Sequence, residues 1–520
     1  KKLTAVGLTV TSVLGLVACG SSKGTTSQGT SENKEVTKPD TFTVMCDGTV
    51  VTETNGAEAF YKQLNEATGL DIKWTRPDHA SYYDAVANAF NSDDTMPDVV
   101  LLSSDYYALY ASNGFLWNMT DAWEHSETKN SGRLISTADN VLSALMVNGE
   151  DGTKAMYGLS LYRGNGCCTY VKKAWLDKAG IDASKVKDVQ MDFNTYYGYL
   201  KQMAQTMGHY VISSPGFIHP EAPNTNYLPE FYQKAQYTFY KDTSGKYVDG
   251  FAQQEMKEAL QRIQTAVNDG VIDKESVNNS TANARDKFYS TDPSTETGVF
   301  TYWAGTWANT LKTNLANKGL DDELIAIKPI KELGAYTERI APCWCITSAA
   351  KNPEGIFKYF IDKMLDGGDV QMLWTHGAKG THWDDKAETV TVEKKEDQPK
   401  TYTEGQFHYL PGIEKPDQWQ TKNHIDPILS IANFTNGYVG ESLIPEVARE
   451  NGEFFAENSQ VAVPLPMTSE LSNNIGDINT ARTYVIAQVA LGYMTVDEGM
   501  DYYNKTVGSL SNAVLKSLNK

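Results

Sequence analysis

The sequence has too few basic residues to balance its acidic ones, and this shortage limits the partners that it can bind. There are 46 lysine and arginine side chains against 65 aspartate and glutamate side chains, so the formal charge is −19 at pH 7. Binding to nucleic acid requires a basic face that displaces counterions from the phosphates. The charge balance therefore argues against a nucleic-acid partner and suits a soluble, exported protein.

Cysteine is also scarce, and its spacing does not suit disulfide bridges. Five of the six cysteines lie in the body of the chain, at Cys46, Cys167, Cys168, Cys343 and Cys345. Small secreted scaffolds space their cysteines to close loops, whereas four of these stand in two tight pairs. Neither C-x₂-C nor a partnered histidine spacing is present, so the pattern predicts no metal site and no cofactor. We interpret these five residues as small buried apolar side chains.

Long apolar runs are missing except at the beginning of the sequence. Residues 3–18 form an apolar stretch diluted with Thr and Gly, which is shorter than the roughly 20 residues that a spanning helix needs. The stretch follows two lysines and ends in the tetrapeptide LVAC at Cys19. This ending resembles the lipobox of bacterial lipoproteins, which implies a signal peptide over 1–19 with Cys19 as the lipidated residue. The alternative is an ordinary signal peptide that happens to end at a free cysteine.

The segment after the lipobox contains almost no apolar side chain. Residues 20–40 (GSSKGTTSQGTSENKEVTKPD) have Val36 as their one aliphatic residue apart from glycine and proline. Such a segment cannot bury anything, so we predict a flexible linker. It would hold a folded body away from the extracellular face of the cell membrane, to which the lipid attaches it.

The folded body begins with strands and helices in alternation. The segments in chain order are TFTVMCDG, GAEAFYKQLNEATGL, DIKW, SYYDAVANAF and DVVLL. Strand–helix–strand order predicts a parallel sheet with helices on its faces, an α/β fold. Ligands of such sheets collect beyond the carboxyl ends of the strands. Here these ends are followed by Asp47 and by Asp105-Tyr106.

Enzyme signatures are absent from the sequence. There is no G-x-S-x-G, no H-E-x-x-H and no Walker loop, and GNGCCT lacks the third glycine of a dinucleotide-binding turn. We therefore expect a protein that is not an enzyme. A retaining glycosidase would need only two carboxylates about 5 Å apart, and such a pair leaves no motif.

Five stretches, in a fixed order over most of residues 41–365, resemble the extracellular solute-binding proteins of carbohydrate ABC importers, the group that includes maltose-binding protein. They are DVVLLSSDYYALYASNGFLWNMTDAW, YGLSLYRGNGCCTYVKKAWLDKAGI, LQRIQTAVNDGVIDKES, GVFTYWAGTWANTLKTN and APCWCITSAAKNPEGIFKYFIDKML. The order of the set supports the resemblance more than any single stretch does.

The resemblance implies a two-lobed α/β fold of the periplasmic-binding-protein type II, with crossing strands between the lobes and the ligand held in the cleft. We place lobe 1 at 41–162 plus 300–342 and lobe 2 at 163–299 plus 346–520. The implied function is capture of an oligosaccharide by hinge closure and its delivery to the transmembrane permease subunits of an ABC transporter. The protein is expected to act as a monomer, anchored by its lipid.

The candidate ligand-binding residues suit the two kinds of surface that sugars offer. Sugar C–H faces lie on aromatic rings, and hydroxyl groups pair with carboxylate, amide and guanidinium groups. Some candidates match family positions, and others follow strand ends, flank the crossings or lie in a glycine-containing loop. The set is Asp47, Asp105, Tyr106, Tyr162, Arg163, Asn165, Trp307, Trp344 and Trp383.

Each of these candidates also has a structural interpretation. Tryptophans of α/β proteins are more often core residues, aspartates are often helix caps, and Arg163 could form an ion pair between lobes. His376 and His382 are expected at the surface. Two other functions stay open at this point: a surface enzyme that degrades glycans, and a binding protein for another solute such as a peptide or a phosphorylated polyol.

Overall fold

The computed structural model describes residues 35–48, 56–78, 81–102, 104–134, 138–160, 164–218, 226–320, 322–340, 342–390, 400–410, 445–463, 465–466 and 468–519. The predicted signal peptide over 1–19, Cys19 and most of the predicted linker over 20–40 lie outside these residues. Contacts along the chain separate Lys1–Thr37 from Lys38–Lys520, and the fold below is that of the second segment. Within the described ranges, no helix combines the length and the apolar character needed to cross a bilayer.

The strands, in chain order, are β1 (Thr41–Met45), β2 (Asp71–Thr75), β3 (Val99–Leu102), β4 (Met146–Asn148), β5 (Lys154–Met156), β6 (Gly158–Leu159), β7 (Cys167–Lys172), β8 (Phe239–Lys241), β9 (Tyr247–Asp249), β10 (Val299–Trp303), β11 (Leu324–Ala326), β12 (Tyr336–Glu338), β13 (Cys343–Ile346), β14 (Trp383–Asp384), β15 (Glu388–Val390), β16 (Lys400–Tyr402), β17 (His408–Tyr409) and β18 (Ser459–Val461).

The α-helices are α1 (Ala57–Thr68), α2 (Tyr82–Ala89), α3 (Ser104–Ser112), α4 (Thr120–Glu124), α5 (Glu127–Asn130), α6 (Ala138–Ala144), α7 (Lys173–Ala179), α8 (Ser184–Lys187), α9 (Phe193–Met207), α10 (Pro229–Tyr232), α11 (Gln254–Asn268), α12 (Thr281–Phe288), α13 (Thr306–Asn317), α14 (Pro353–Ile356), α15 (Asp369–His376), α16 (Glu446–Glu457), α17 (Ser469–Ala490) and α18 (Val496–Leu518). Shorter turns of 3₁₀-helix occupy Gly250–Ala252, Lys274–Asn278 and Asp362–Leu365, and Phe357–Ile361 is a π-helical turn.

The first lobe contains a five-stranded sheet in the order β2-β1-β3-β13-β6. Strands β1, β2 and β3 are parallel, as their alternation with helices predicts. All residues of β3 are buried, as expected for a strand covered on both faces. Helix α1 ends where Gly69 adopts a left-handed conformation with φ 63°, which glycine takes without steric cost.

The core of the first lobe includes chain that we had assigned to the second lobe. Strand β13 pairs antiparallel with β3, and buried residues between Ile340 and Ala378 pack into the same core as β1 and β3. The predicted boundary at residue 346 is therefore wrong for this segment. The reason is that β13 fills a central position of the first sheet and brings the helices that follow it to the same core.

The second lobe has a three-stranded sheet in the order β10-β7-β11. All six residues of β7 are buried, and antiparallel pairing with β10 and β11 satisfies the backbone of β7 on both edges. The predicted membership of 300–342 in lobe 1 is thus wrong for β10 and β11. Helices α17 and α18 pack against the core of this second lobe.

A buried ion pair links α17 to the β8–β9 hairpin in the second lobe. Arg482 is 0% exposed and donates from Nη2 to Oδ1 of Asp249 at 2.8 Å. The other carboxylate oxygen of Asp249 accepts hydrogen bonds from the hydroxyls of Tyr503 and Ser511, each at 2.6 Å. This cluster fastens the C-terminal helices to the rest of the lobe.

Glu230 makes the stability of the folded protein depend on pH in a predictable direction. Burial raises the pKa of its carboxyl group from 4.5 to about 7, although hydrogen bonds from the Thr169 hydroxyl, at 2.7 Å, and from the Tyr336 hydroxyl partly oppose this rise. The folded protein therefore keeps a proton that the unfolded chain releases. The stabilising contribution is present below pH 4.5 and is lost as the pH rises through about 7.

We expect Glu230→Gln to remove this dependence, because the amide keeps the shape of the side chain but does not titrate. The free energy of unfolding of the natural protein, minus that of the variant, should fall by about 3 kcal/mol between acidic and mildly alkaline pH. Urea unfolding of both proteins at a series of pH values measures this difference. A difference that does not change with pH would contradict the prediction.

Candidate ligand-binding cleft

In both sheets, the ends of several strands lie next to the segments that connect the lobes. This side of each sheet is called its cleft edge below. The chain passes from β6 to β7 through residues 160–166 and returns from β12 to β13 through residues 339–342. In the first sheet, the carboxyl end of β3 at Leu102 pairs with Cys343, where β13 begins. In the second sheet, the end of β10 at Trp303 pairs with Cys167, where β7 begins. These two edges form the walls of a cleft whose base is made by the crossing segments.

The two crossing segments are hydrogen-bonded to each other at the base of the cleft. Gly166 forms an isolated antiparallel bridge with Glu338, and the Arg339 N–H donates to the Asn165 carbonyl at 3.0 Å. A Cβ atom on Gly166 would lie 2.2 Å from the carbonyl oxygen of Thr337. This position therefore requires glycine if the two segments are to approach this closely.

Asn165, one of the predicted ligand-binding residues, stabilises the backbone of the first crossing segment. Its φ angle is 57°, which asparagine tolerates better than most residues. Its side-chain amide donates to the Ala304 carbonyl at 3.0 Å and accepts from the Gly166 N–H at 2.8 Å. Asn165 thus ties the crossing segment to the end of β10. The neighbouring candidates Tyr162 and Arg163 lie outside the described residues.

Trp307, the tryptophan expected to stack on a sugar, is half-buried in the first turn of α13. The helix begins after Gly305, whose φ of 64° and ψ of −119° suit glycine alone. The Gly305 N–H donates to Oδ1 of Asn451 at 2.7 Å, and the Tyr170 hydroxyl donates to the same oxygen at 3.0 Å. The position of Trp307 is therefore fixed by contacts from β7 and α16.

Two arginines lie over tryptophan rings on this wall, and the sequence analysis missed both. The Arg285 guanidinium lies 5.2 Å from the centroid of the Trp307 ring and donates to the Tyr302 hydroxyl at 3.2 Å. The Arg339 guanidinium lies 4.6 Å from the centroid of the Trp303 ring. No sequence motif predicts these pairs, because each joins residues that are distant in sequence.

The first-lobe wall carries an aromatic stack. Tyr83, at the start of α2, and Tyr106, in α3, have parallel rings with centroids 3.8 Å apart, and both are half-buried. Asp105, expected in a loop, belongs to the first turn of α3. Asp47 follows β1 and is half-buried. The structure therefore brings Asp47 and Tyr106 to the same edge of the first sheet, and adds Tyr83, which the sequence analysis did not single out.

Trp344, also predicted to bind ligand, lies instead in the core of the first lobe. Its ring is 1% exposed and makes edge-to-face contacts with Phe360 and Trp374. A ring in this position cannot stack on a sugar. The reason is that β13 lies in the interior of the first sheet, where helices cover both faces.

Trp383 lies in a small ribbon at the rim of the first-lobe wall. Its indole N–H donates to the Gly377 carbonyl at 2.8 Å, and its ring stacks on Phe407 with centroids 5.0 Å apart. The base of the ribbon lies against the start of α1. Gly56, which directly precedes α1, is so close to Thr381 that an added Cβ would lie 2.7 Å from the Thr381 side chain. Since α1 follows the carboxyl end of β1, the half-buried Trp383 is close to the edge where the cleft opens.

The histidines of this ribbon are buried, contrary to the expectation that they lie at the surface. His376 is 5% exposed and His382 is 3% exposed. Nδ1 of His382 accepts from the Ala378 N–H at 2.7 Å, and Nδ1 of His376 lies 2.6 Å from the Tyr409 hydroxyl. Both rings therefore hold the loop that precedes Trp383.

The cysteines of the body are buried free thiols, as we interpreted them. Burial raises the pKa of Cys46 and of Cys168 to about 12 each, so neither thiol forms the reactive thiolate at neutral pH. Across the described ranges, no group of three His, Cys, Asp or Glu side chains has the geometry to hold a metal ion.

A concavity of about 210 Å³ lies between α18 and the residues that follow β9, and Asp249 and Tyr503 line it. The Asp249 carboxylate already accepts from the Arg482 guanidinium and from two hydroxyls. Because its polar groups are engaged with each other, we interpret this concavity as a packing feature of the lobe and not as the ligand site.

Comparison with known proteins shows where this fold recurs. No protein-family model matches the sequence, and no curated protein matches it. Among solved structures, the N-glycan transport solute binding protein NgtS from Streptococcus pneumoniae is similar, with 16% identity, a TM-score of 0.59, and coverage of 92% of this chain and 98% of that one. An HMO-binding, ABC-transporter-associated solute binding protein from Bifidobacterium longum infantis has 14% identity and a TM-score of 0.57, with coverage of 92% and 98%.

A third similar structure is the extracellular solute-binding protein family 1 member from Alicyclobacillus acidocaldarius, with 14% identity, a TM-score of 0.58, and coverage of 92% of this chain and 100% of that one. The similarity extends over nearly the whole chain. The fold is therefore the two-lobed α/β fold of the solute-binding proteins, as the resemblance implied.

Proposed function

We propose that this protein is the extracellular solute-binding protein of an ABC transporter and that it captures an oligosaccharide in the cleft between its lobes. The supporting observation is the presence of half-buried aromatic rings on both walls. Tyr83 and Tyr106 lie on the first-lobe wall, and Trp303 and Trp307 lie on the second. Aromatic faces at the edge of a cleft suit the C–H faces of sugars. The printed names of the similar proteins, which include N-glycan transport and HMO binding, support the same class of ligand.

Capture would occur by hinge closure about the crossing segments. A ligand shifts the equilibrium toward the closed state only if it binds that state more tightly, and it does so when both lobes contact it there. The hydrogen-bonded base formed by Gly166, Glu338 and Arg339 can serve as the hinge, because it joins the lobes through few residues.

Delivery to permease subunits and attachment to the membrane complete the proposal. The lipobox at Cys19 and the polar linker over 20–40 support a lipid anchor on the extracellular face of the membrane. The protein would act as a monomer and would break no bond. Asp47, Asp105, Tyr106, Asn165 and Trp307 remain the proposed contacts from the sequence analysis, and Trp383 would lie at the rim.

Calorimetric titration of residues 41–520 against purified oligosaccharides of several linkages tests the proposal. We expect saturable, stoichiometric binding to one linkage class, with the glycan recovered intact after overnight incubation. Shortened glycan would instead identify an enzyme, and the absence of binding across the panel would reject the sugar assignment. Peptides and phosphorylated polyols form the comparison group.

A further inference from the structure

Two guanidinium groups at the cleft have no acidic partner among the residues that the structure describes. Arg339, in the second crossing segment, uses Nε to donate to the Gly164 carbonyl at 3.1 Å. Arg285, in α12, uses Nη1 to donate to the Tyr302 hydroxyl. Both side chains are half-buried. In the part of the chain that the structure describes, no carboxylate oxygen lies within ion-pair distance of either group.

The acidic residue next to Arg339 is engaged elsewhere. Glu338 is 1% exposed, and its Oε2 accepts from the Ser459 hydroxyl at 3.1 Å. By contrast, Arg482, which is fully buried in the same lobe, is paired with Asp249. A protein with a formal charge of −19 has ample carboxylates with which to neutralise a guanidinium. Within the described residues, Arg133 and Arg262 likewise form no ion pair and donate to amide and carbonyl oxygens. What distinguishes Arg285 and Arg339 is that they lie over the tryptophans of the cleft wall.

The geometry of the two groups suits a planar anion. Each guanidinium lies over an indole ring, Arg339 over Trp303 and Arg285 over Trp307. An arginine supported in this way keeps in-plane N–H groups available, and these match a carboxylate bidentately. For Arg339 these groups are Nη1 and Nη2, because only Nε is used within the described residues. The half-buried position strengthens such a pair relative to one at an open surface.

We propose that the cleft selects an acidic oligosaccharide, one whose carboxylate pairs with Arg339 while neighbouring sugars lie on the aromatic walls. Arg285, over Trp307, offers a second guanidinium to a further carboxylate of the same glycan. This inference rests on the proposed function and narrows it to a substrate class. The opposite wall carries the Tyr83–Tyr106 stack and the acidic Asp47. The anionic end of the ligand therefore lies against the second lobe and the crossing segment, away from that carboxylate.

The test uses uronate- and sialate-containing oligosaccharides, each titrated beside a copy whose carboxyl groups have been reduced to alcohols, together with the neutral panel. We expect at least one acidic glycan to bind at least about 10-fold more tightly than its reduced copy, because a charged hydrogen-bonded pair is lost. Its affinity should also fall as salt is raised, since screening weakens charge pairing.

Other outcomes separate this inference from the proposed function. If only neutral sugars bind, or if reduced copies bind as well as their acidic parents, the acidic assignment is wrong and the solute-binding function stands. If no sugar of any kind binds, both fail.

Substitutions then test whether the arginines recognise the carboxylate of the acidic glycan. Arg339→Gln should weaken binding of the acidic glycan by about 10- to 100-fold and leave the reduced copy within about 2-fold. Arg262→Gln is the matched control, because Arg262 also donates through Nε to a backbone carbonyl, that of Phe231, and lies over the Phe193 ring. It belongs to α11, outside the two cleft edges, and should change neither affinity.

A purely structural role for Arg339 gives a different result. If the arginine only supports Trp303 and the crossing segment, Arg339→Gln weakens the acidic glycan and its reduced copy equally, and this overturns the inference. Arg285→Gln, on a different element, repeats the comparison should the first variant fold poorly. A thermal melt of each variant verifies the fold.

Discussion

Trp307→Ala is expected to weaken oligosaccharide binding about 100-fold, which corresponds to about 2.7 kcal/mol. The expectation rests on the proposed function and on the position of the ring. Trp307 is half-buried at the start of α13, fixed from behind by its edge-to-face contact with Tyr302, with ring centroids 5.0 Å apart. A rigid aromatic ring that stacks on a ligand is the type of residue whose truncation costs most in a binding site. Calorimetric titration of the variant against the oligosaccharide that the natural protein binds measures the loss.

Trp117→Ala is the matched control for this variant. Trp117 is also half-buried, and its backbone N–H donates to the Ile346 carbonyl at 2.8 Å. Ile346 is the last residue of β13, so Trp117 lies at the edge of the first sheet that faces away from the crossing segments. Removing its indole should cost stability and leave affinity within about 2-fold. Equal losses of affinity in both variants would mean that Trp307 acts through the fold and not through the ligand.

Asp249→Asn should lower the free energy of unfolding by about 3–5 kcal/mol, because it leaves the buried Arg482 charge without its partner. The amide preserves the shape of the side chain, so packing changes little. What is lost is the charge that Arg482 faces at 2.8 Å and that the Tyr503 and Ser511 hydroxyls stabilise at 2.6 Å. Four aromatic rings surround the arginine within 5.9 Å of their centroids, and they cannot replace a carboxylate. Urea unfolding followed by circular dichroism provides the measurement.

An exposed ion pair at the start of α18, the helix that carries Tyr503 and Ser511, is the control for the Asp249 variant. Asp497, in the first turn of α18, pairs with Lys257 at 3.1 Å, and its side chain is 87% exposed. Asp497→Asn should cost about 1 kcal/mol or less, because water screens the pair. The double variant Asp249→Asn with Arg482→Met should recover much of the loss, since no uncompensated charge remains buried. A double variant as unstable as Asp249→Asn alone would show that shape and not charge makes this cluster important.

The sequence by itself determined the features that depend on neighbours along the chain. The first three strands alternate with helices, and their parallel pairing follows from that order. Gly69 ends α1 in the left-handed conformation, which is the usual conformation of a glycine directly after a helix. The TVDE segment caps α18, with the Thr495 side chain accepting from the Glu498 N–H and the Glu498 carboxylate accepting in return. The two helix ends rest on contacts within a few residues, and the parallel pairing follows from the order of strands and helices, so spacing along the chain is sufficient to predict them.

Only the tertiary structure decided which strands share a sheet and which rings face the cleft. The assignment of residues 300–342 to a lobe depends on the pairing of β10 with β7, and no local pattern encodes this pairing. Trp344 and Trp307 both stand beside small residues in the sequence. Trp344 is nevertheless 1% exposed in a core, whereas Trp307 is half-buried at the cleft edge. Burial depends on what the rest of the chain places on top of a ring. The contact between Arg339 and Trp303 likewise joins residues that are distant in sequence and that only the fold brings together.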